Sequence, residues 1–412
     1  MASSSAPPRE YDTKIAGGGS MYVLRRADAA DGPKLMCLGA GTLALTMDGF
    51  RCLGVEREPV AIKQISVESR RAADLVGAQE QRGLEALAGR SHPNIVRLIT
   101  SFSGDEGSGR QRLSFVFERC PTAVPFPVAA ETTSKGFCVP LQGATNPDRC
   151  GCDLYSNPHK SAPFSPREAV HIIRQVLGAL AHLHAAKPPV VHRDVKPENI
   201  LIWGVHRDEE RGDLLMDVKL TDYGTMRRID RRDLTVGTGT RCFMASEVDE
   251  MTGTSPTTHK PTGTYGLGVD IFSVGATLFW LVTGESPSGN TREKWQTRLG
   301  GQTVVSAERS KAWYKEHREL YERAKAAAAS AAGASGGASG GSGAHEVVGG
   351  GNGGATRTSV PPVTTLDYFF PPGSALRTLL EGLVETKTGQ FTAETALEWI
   401  QREGPAASLI IS

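Results

Sequence analysis

After Val191 the chain reads HRDVKPENILI, His192 to Ile202, a run dense in groups that could handle phosphate. Asp194 is a carboxylate placed to accept the proton of an attacking hydroxyl. Lys196 can steady a moving phosphoryl group, and Asn199 offers an amide oxygen to magnesium. Phosphoryl transfer asks a protein mainly for positioning and charge stabilisation, and these residue types supply both. The plainer alternative is a polar turn between helix and strand, which would not need so specific a set. Downstream, VKLTDYGT brings Asp222 from an apolar strand to a turn opened by Gly224. A carboxylate at a strand end is a natural ligand for a hard cation that also holds phosphates. Asp-aromatic-Gly turns are common by themselves; the position after HRDVKPEN gives this one its weight. Upstream, Leu38-Gly39-Ala40-Gly41-Thr42-Leu43-Ala44 precedes Val60-Ala61-Ile62-Lys63. Glycines let backbone amides approach phosphate, and a strand lysine adds positive charge. Singly, the glycines mark an ordinary hairpin and Lys63 a solvated surface lysine; together they read as a lid over phosphates.

Those groups need elements to hold them. Ser165-Pro166-Arg167-Glu168 is a capping box with proline at the first helical position. Val170, Ile173, Leu177, Leu180 and His184 then recur at helical spacing, and Pro188 and Pro189 end the helix. Val190-Val191 begins a short extended piece leading into His192. Asp270 to about Thr283, DIFSVGATLFWLVT, is apolar on nearly every face and is stopped by Gly284, so it belongs in the middle of a lobe. Other stretches lack sustained periodicity. Met1 to about Ser20 is small and polar and reads as a flexible lead-in, and Pro121 to about Cys150 is rich in proline, threonine and glycine. Lys325 to Ser359 is Gly/Ala/Ser sequence that cannot bury enough apolar surface to offset its chain entropy. It reads as a disordered surface insertion rather than a linker, because Leu366 to Ile400 is too short to fold well alone.

A chain of 412 residues can hold one large two-lobed unit or two ordinary domains, and 39% hydrophobic residues supports a real core. Forty-seven glycines and 24 prolines put the slack in loops and insertions. With 46 basic and 45 acidic residues there is no global field for nucleic acid or anionic lipid, so neither partner is expected. The seven cysteines, odd in number and scattered, read as reduced thiols. Cys138, Cys150, Cys152 and His159 fit no standard zinc spacing and read as ordinary loop. The start has no apolar run that could serve as a signal peptide, and no stretch approaches the roughly 20 apolar residues of a membrane helix. Cytoplasm is the expected compartment, with the nucleus as the alternative.

The ordered set GxGxxA, VAIK, HRDVKPEN, DYG and ASE resembles the eukaryotic protein kinases over about Leu38 to Ile400. The resemblance implies an α+β, bilobal kinase fold binding ATP and Mg2+ in the cleft. It implies a flexible N-terminus at 1–20, a kinase domain at 21–402 and a tail at 403–412. Within the domain, a small β-rich N-lobe with one main helix covers about 21–120. A hinge insertion follows at 121–150, then a larger, mainly helical C-lobe at 151–402 that contains the insertion 325–359. ATP would meet Leu38, Gly39, Gly41 and Thr46 in the lid, with Ala61 and Leu201 sandwiching the base. Beyond a gatekeeper, Phe117, the backbones of Glu118 and Cys120 would face the adenine. Lys63 would pair with Glu80, or with Glu85 if Gly89-Arg90-Ser91 shifts the register. Asp194 and Lys196 would serve catalysis, Asn199 and Asp222 the metal, and Asp270 would anchor the catalytic loop. Lys196 and Thr240 point to serine/threonine specificity. Arg193 beside Asp194 suggests control by a phosphate in the activation segment, with Thr235 and Thr238 as acceptors. An upstream kinase or trans-autophosphorylation would place it. Arg227, Arg228, Arg231 and Arg232 could join that clamp or form a solvated basic loop. The implied activity is transfer of the γ-phosphoryl group of ATP to protein serine or threonine, by a monomer.

The chain departs from the family pattern in places. Ala44 replaces the third lid glycine, Thr46 stands where valine usually packs on adenine, and Tyr223 and Ser246 alter DFG and APE. Gln390 stands where an arginine usually pairs with the glutamate here numbered Glu247, so another group should satisfy that carboxylate. The alanine in the lid, the extension Trp203 to Met216, KLTDxG and the long insert before Tyr265 are similar to the TANK-binding branch, kinases related to the inhibitor-of-NF-κB kinases. A pseudokinase-like nucleotide-binding scaffold is the alternative, opposed by the presence of Lys63, Asp194, Asn199 and Asp222. A small-molecule phosphotransferase of kinase-like fold is opposed by the activation segment and ASE, which build a platform for protein substrates.

Overall fold

The computed structural model describes residues 13–17, 19–27, 34–40, 44–67, 91–107, 110–123, 126–132, 138–140, 152–157, 164–210, 213–228, 243–245, 266–284, 370, 373–384 and 390–407. Gly41, Glu80, Glu85, Thr235, Thr238, Thr240, Ser246, Glu247 and the insertion 325–359 lie outside these residues.

The N-terminal part is one sheet. Its strands are β1 (Thr13–Gly17), β2 (Ser20–Leu24), β3 (Arg26–Ala27), β4 (Lys34–Ala40), β5 (Ala44–Leu53), β6 (Glu56–Val67), β7 (Leu98–Gly107), β8 (Arg110–Glu118), β9 (Phe126–Thr132) and β10 (Cys138–Pro140). They run in the order β10-β9-β4-β5-β6-β8-β7, with β3 on β4, β2 on β5 and β1 on β2. Gly54, at φ +65°, makes the tight turn between β5 and β6. Side chains alternate across a strand, and VAIK sorts accordingly. Val60 and Ile62 join Tyr22, Leu24, Met47 and Val116 in a core on one face. Ala61 and Lys63 point the other way, where Ile65, Phe115 and Phe117 meet the core of the C-terminal part.

That part is built on helices α1 (Pro166–His184), α2 (Gly268–Thr283), α3 (Ala375–Val384) and α4 (Ala393–Ala407). The capping box at α1 is formed: Glu168 N donates to Ser165 Oγ at 3.2 Å, and Ser165 N donates to Glu168 Oε2 at 2.7 Å. α2 is buried from Val269 to Thr283 and ends at Gly284, whose φ is +73°. Ser273, Thr277 and Thr283 donate their hydroxyls to the carbonyls of Val269, Ser273 and Phe279. These hydroxyls are thereby satisfied within the helix, which lets it sit in an apolar core. Short strands β11 (Val190–Val191) and β14 (Arg227–Arg228) pair with each other, as do β12 (Ile200–Arg207) and β13 (Leu214–Leu220).

The structure departs from the sequence reading at several points. Order reaches back to Thr13, because β1 pairs along its whole length with β2. The hinge insertion carries β9 and β10, and β9 pairs with β4 from Leu35↔Val128 to Cys37↔Phe126. Their strand character was hidden by prolines and threonines and comes from the open edge that β4 offers. α4 continues past Arg402 to Ala407. Cys152 is disulfide-bonded, against the expectation of reduced thiols throughout, while Cys37, Cys52 and Cys120 remain thiols. Which sulfurs meet is set by tertiary approach and not by spacing.

α2 packs on α3 through a glycine. A Cβ at Gly275 would lie 2.6 Å from Val384 Cγ1 and 3.0 Å from Leu383 Cβ. Overpacking costs roughly 1–3 kcal/mol, against a helix-propensity gain of about 1 kcal/mol. Gly275→Ala should lower stability by about 1 kcal/mol in urea unfolding; an unchanged or raised midpoint would show that α3 shifts freely.

Candidate active site

The site is assembled around a carboxylate in the first turn of α2. Asp270, fully buried, accepts from His192 N and Arg193 N at 2.8 Å each. His184, in the last turn of α1, sets its Nε2 2.9 Å from the same carboxylate. Burial alone would push the Asp270 carboxyl up, but the His184 hydrogen bond and charge, with His192 behind them, outweigh it and hold the group below its ordinary value. Arg193 takes the left-handed backbone region, φ +72°, so its N–H can turn inward while the chain reverses. The loop is also tied to the segment after Asp222. His192 Nε2 lies 2.9 Å from Thr221 O, Thr225 Oγ1 donates to His192 O at 2.7 Å, and Arg193 Nε donates to Thr225 O.

Beyond this anchor the loop displays its chemistry. Lys196 Nζ lies 2.7 Å from Asp194 Oδ2. Asn199, in a 3-10 turn at Pro197–Asn199, donates through Nδ2 to Asp194 O and Oδ2, both at 2.8 Å. Its amide nitrogen is therefore committed to Asp194, which leaves the amide oxygen as the group to offer a cation.

Asp222 ends the segment that β13 feeds and also has a positive φ, +67°. Lys63 Nζ, from β6, lies 3.2 Å from Asp222 Oδ1. The ammonium beside it holds the Asp222 carboxyl below its ordinary value against the opposing effect of burial. Tyr223 turns inward, packs on Phe117 at a ring separation of 5.6 Å, and donates its hydroxyl to Val96 O. Burial, with Glu118 and Asp222 nearby, pushes that phenol well above its ordinary value, so it remains a donor.

Leu38, Cys120, Ala123 and Cys152 form a cluster against which Ala61, Leu201 and Trp203 pack. This brings Leu38 together with Ala61, Cys120 and Leu201, three of the residues assigned to the base. Thr46 is the register partner of Lys63, and Gly39 that of Thr46. The Cys120 thiol, its titration pushed up by burial, donates to Ile202 O at 3.0 Å. Glu118 Oε1 accepts from Arg97 N at 2.8 Å and meets Lys219 Nζ at 2.7 Å. The Lys219 ammonium sits 4.1 Å from the Trp203 ring centroid.

Asp194, Lys196 and Asn199 thus touch one another on one loop and Lys63 meets Asp222, while Glu80, Gly41, Thr235, Thr238 and Thr240 lie outside the described residues. Gln390 does not stand idle in its unusual place: its Nε2 donates to Gly268 O at 3.0 Å and Leu383 O at 3.3 Å, pinning the start of α2 to the end of α3. The reading missed His184, Thr225 and Lys219, whose roles depend on partners far along the chain. It also missed Asp48, although a lone carboxylate inside ALTMDGF was a visible signal.

Asp270 is ionised in the fold at pH values where the unfolded chain has begun to protonate it. Its contribution is complete above the unfolded-state value and is lost as pH falls through the depressed folded one. Asp270→Asn should flatten the acid limb of melting temperature against pH; an acid limb like that of wild type would remove Asp270 from this role. Tyr223→Phe strips the hydroxyl from Val96 O and should cost about 1–3 kcal/mol in urea unfolding. A loss within error would mean that another donor reaches Val96 O.

Comparison with known proteins agrees with this arrangement. The family model for the protein kinase domain matches residues 34–329. The meiosis-specific serine/threonine-protein kinase mek1 of Schizosaccharomyces pombe is 32% identical over 139 residues, 34% of this chain and 29% of that protein. Human serine/threonine-protein kinase tousled-like 1 is 30% identical over 179 residues, 42% of this chain and 21% of its own. The probable serine/threonine-protein kinase fhkD of Dictyostelium discoideum is 25% identical over 252 residues, 61% of this chain and 28% of its own. The chain thus spans less than a third of the length of each of these relatives. The matched stretch contains Lys63, the loop held by Asp270, and Asp222 opposite Lys63, and the chain belongs to the protein kinase family.

Proposed function

We propose that this chain is a serine/threonine protein kinase, transferring the γ-phosphoryl group of ATP to hydroxyls of protein substrates. The observation that carries the reading is Asp194, Lys196 and Asn199 in contact on one loop, beside a Lys63–Asp222 pair whose carboxyl also feels the Lys196 charge. Asp194 accepts the proton of the attacking hydroxyl, and Lys196 beside it steadies the charge moving on the phosphoryl group. Lys63 holds the phosphates from above. Asn199 through Oδ1 and Asp222 through its carboxylate fit Mg2+, which binds few protein oxygens and takes the rest from phosphate and water. Bound there, Mg2+ neutralises charge on the phosphates. Leu38, Ala61 and Leu201 enclose the base, with Gly39, Gly41 and Thr46 over it, and Glu118 and Cys120 meet its edge through their backbones. Glu80 is the partner of Lys63 in the active state.

Serine/threonine preference is supported by Lys196 and Thr240 and by the names of the relatives. The finer placement near the TANK-binding branch rests on Ala44, the Trp203–Met216 extension, KLTD and Gln390. The domain spans 21–402, with the hinge insertion and the Gly/Ala/Ser segment as surface additions, and acts as a monomer in the cytoplasm. No described helix is long and apolar enough to cross a membrane. Phosphorylation at Thr235 or Thr238, by an upstream kinase or in trans, switches it on through Arg193.

Phosphotransfer from ATP with Mg2+ to a generic serine/threonine substrate tests the reading. Asp194→Asn should lower the rate by about 10²–10⁴-fold. A wild type that binds ATP without transferring phosphate would make the protein a scaffold instead.

A further inference from the structure

Asp48, in β5, is a carboxylate with 0% exposure that the phosphoryl-transfer chemistry does not use. It is the register partner of Ala61 and lies on the same face as Thr46, so it belongs to the cleft side of the sheet, at the hinge end. Two guanidinium groups meet it. Arg25 Nη1 lies 2.8 Å from Oδ2, and Arg119 Nε lies 2.6 Å from Oδ1. Arg119 follows Glu118 in the hinge and uses its whole fork: Nη1 donates to Cys120 O and Nη2 to Ala123 O, each at 3.0 Å. Cys120 O also accepts from Ala123 N at 3.2 Å. Both acceptor positions of that carbonyl are taken.

This occupancy has a chemical consequence for the base. Adenine presents a donor at N6 beside an acceptor at N1, which suits the Glu118 carbonyl followed by the Cys120 N–H. Guanine presents an acceptor at O6 beside a donor at N1. It would need a donor followed by an acceptor, namely the Cys120 N–H and the Cys120 carbonyl. We propose that Asp48 is a positioning residue for nucleotide selection: through Arg119 it keeps the Cys120 carbonyl engaged, so the hinge accepts adenine and refuses guanine. Arg25 completes the device from outside the stretch matched by the family model, where its N–H also bonds Asp48 O at 2.9 Å. For stability alone, a buried ion pair is commonly no better than apolar packing. What the arginine fork adds is geometry, since three of its edges fix three oxygens at once. The proposal rests on the kinase reading above.

The test is kcat/KM for ATP and for GTP, each with Mg2+ and the same peptide, in wild type, Asp48→Asn and Arg119→Lys. Arg119→Lys keeps a cation beside Asp48 but cannot also reach both carbonyls, and it decides the matter if Asp48→Asn fails to fold. Both variants should lower the ATP-over-GTP ratio by about tenfold, with the change in KM rather than kcat. Gly275→Ala, destabilised far from the hinge, should keep the wild-type ratio. A ratio that stays at the wild-type value in Asp48→Asn and Arg119→Lys overturns the proposal while leaving the kinase reading intact. A wild type that transfers phosphate from neither nucleotide overturns both, and that failure is visible before any variant is made.

Discussion

A carboxylate that is removed from water and kept ionised must be surrounded by donors, and Asp270 meets that demand with the backbone of the loop that carries Asp194. Its three contacts join α1, α2 and the His192–Arg193 backbone at one point. Breaking such a buried arrangement by removing one partner typically costs about 3–5 kcal/mol. The loop therefore cannot relax without exposing an uncompensated charge. Because α2 satisfies its own hydroxyls and is apolar all round, it can hold that charge in the middle of the core. Gln390, which replaces an arginine, contributes by bonding the first carbonyl of α2.

The two parts of the molecule meet through polar groups as well as apolar ones. Asn94 Nδ2 donates to Val218 O at 2.8 Å and to Gln175 Oε1 at 3.0 Å, while Gln175 Nε2 donates to Met216 O at 2.8 Å. Val96 N donates to Leu220 O, so the segment before β7 lies along the end of β13. Tyr223 adds its hydroxyl at the same junction. At the hinge, Glu118 reaches Lys219, which rests on Trp203. Asp222 is thereby carried by a strand fastened to the sheet at several points, and its ion pair with Lys63 adds one more tie between the two parts.

The hinge is governed by charge from the other side. Arg119 does not project into solvent; it turns back to Asp48 and secures the turn from Cys120 to Ala123. β9 extends this control by pairing with β4, the strand that enters the lid. β2, β4, β5 and the hinge are consequently joined to one another by strand pairing and by the Asp48 carboxylate.

Much of this was legible in the residues themselves. HRDVKPEN, DYG and VAIK declare their chemistry because phosphoryl transfer tolerates few residue types at those positions. The α1 capping box and the apolar run of α2 are local signals, written in spacing and composition that any chain with those residues would express. Strands in the N-terminal extension and in the hinge insertion were not legible, since strand formation depends on the edge a neighbour presents. The partners of Asp48, Glu118 and Asp270 were equally hidden. A carboxylate in a sequence is only a charge; whether it is solvated, paired with a lysine or buried against two arginines is decided by which distant segments fold around it. Residue types and their spacing carried the kinase-family resemblance and the helices that frame the site. How the hinge is held follows from folding, which brings Arg25 and Arg119, far apart in the chain, to the single carboxylate of Asp48.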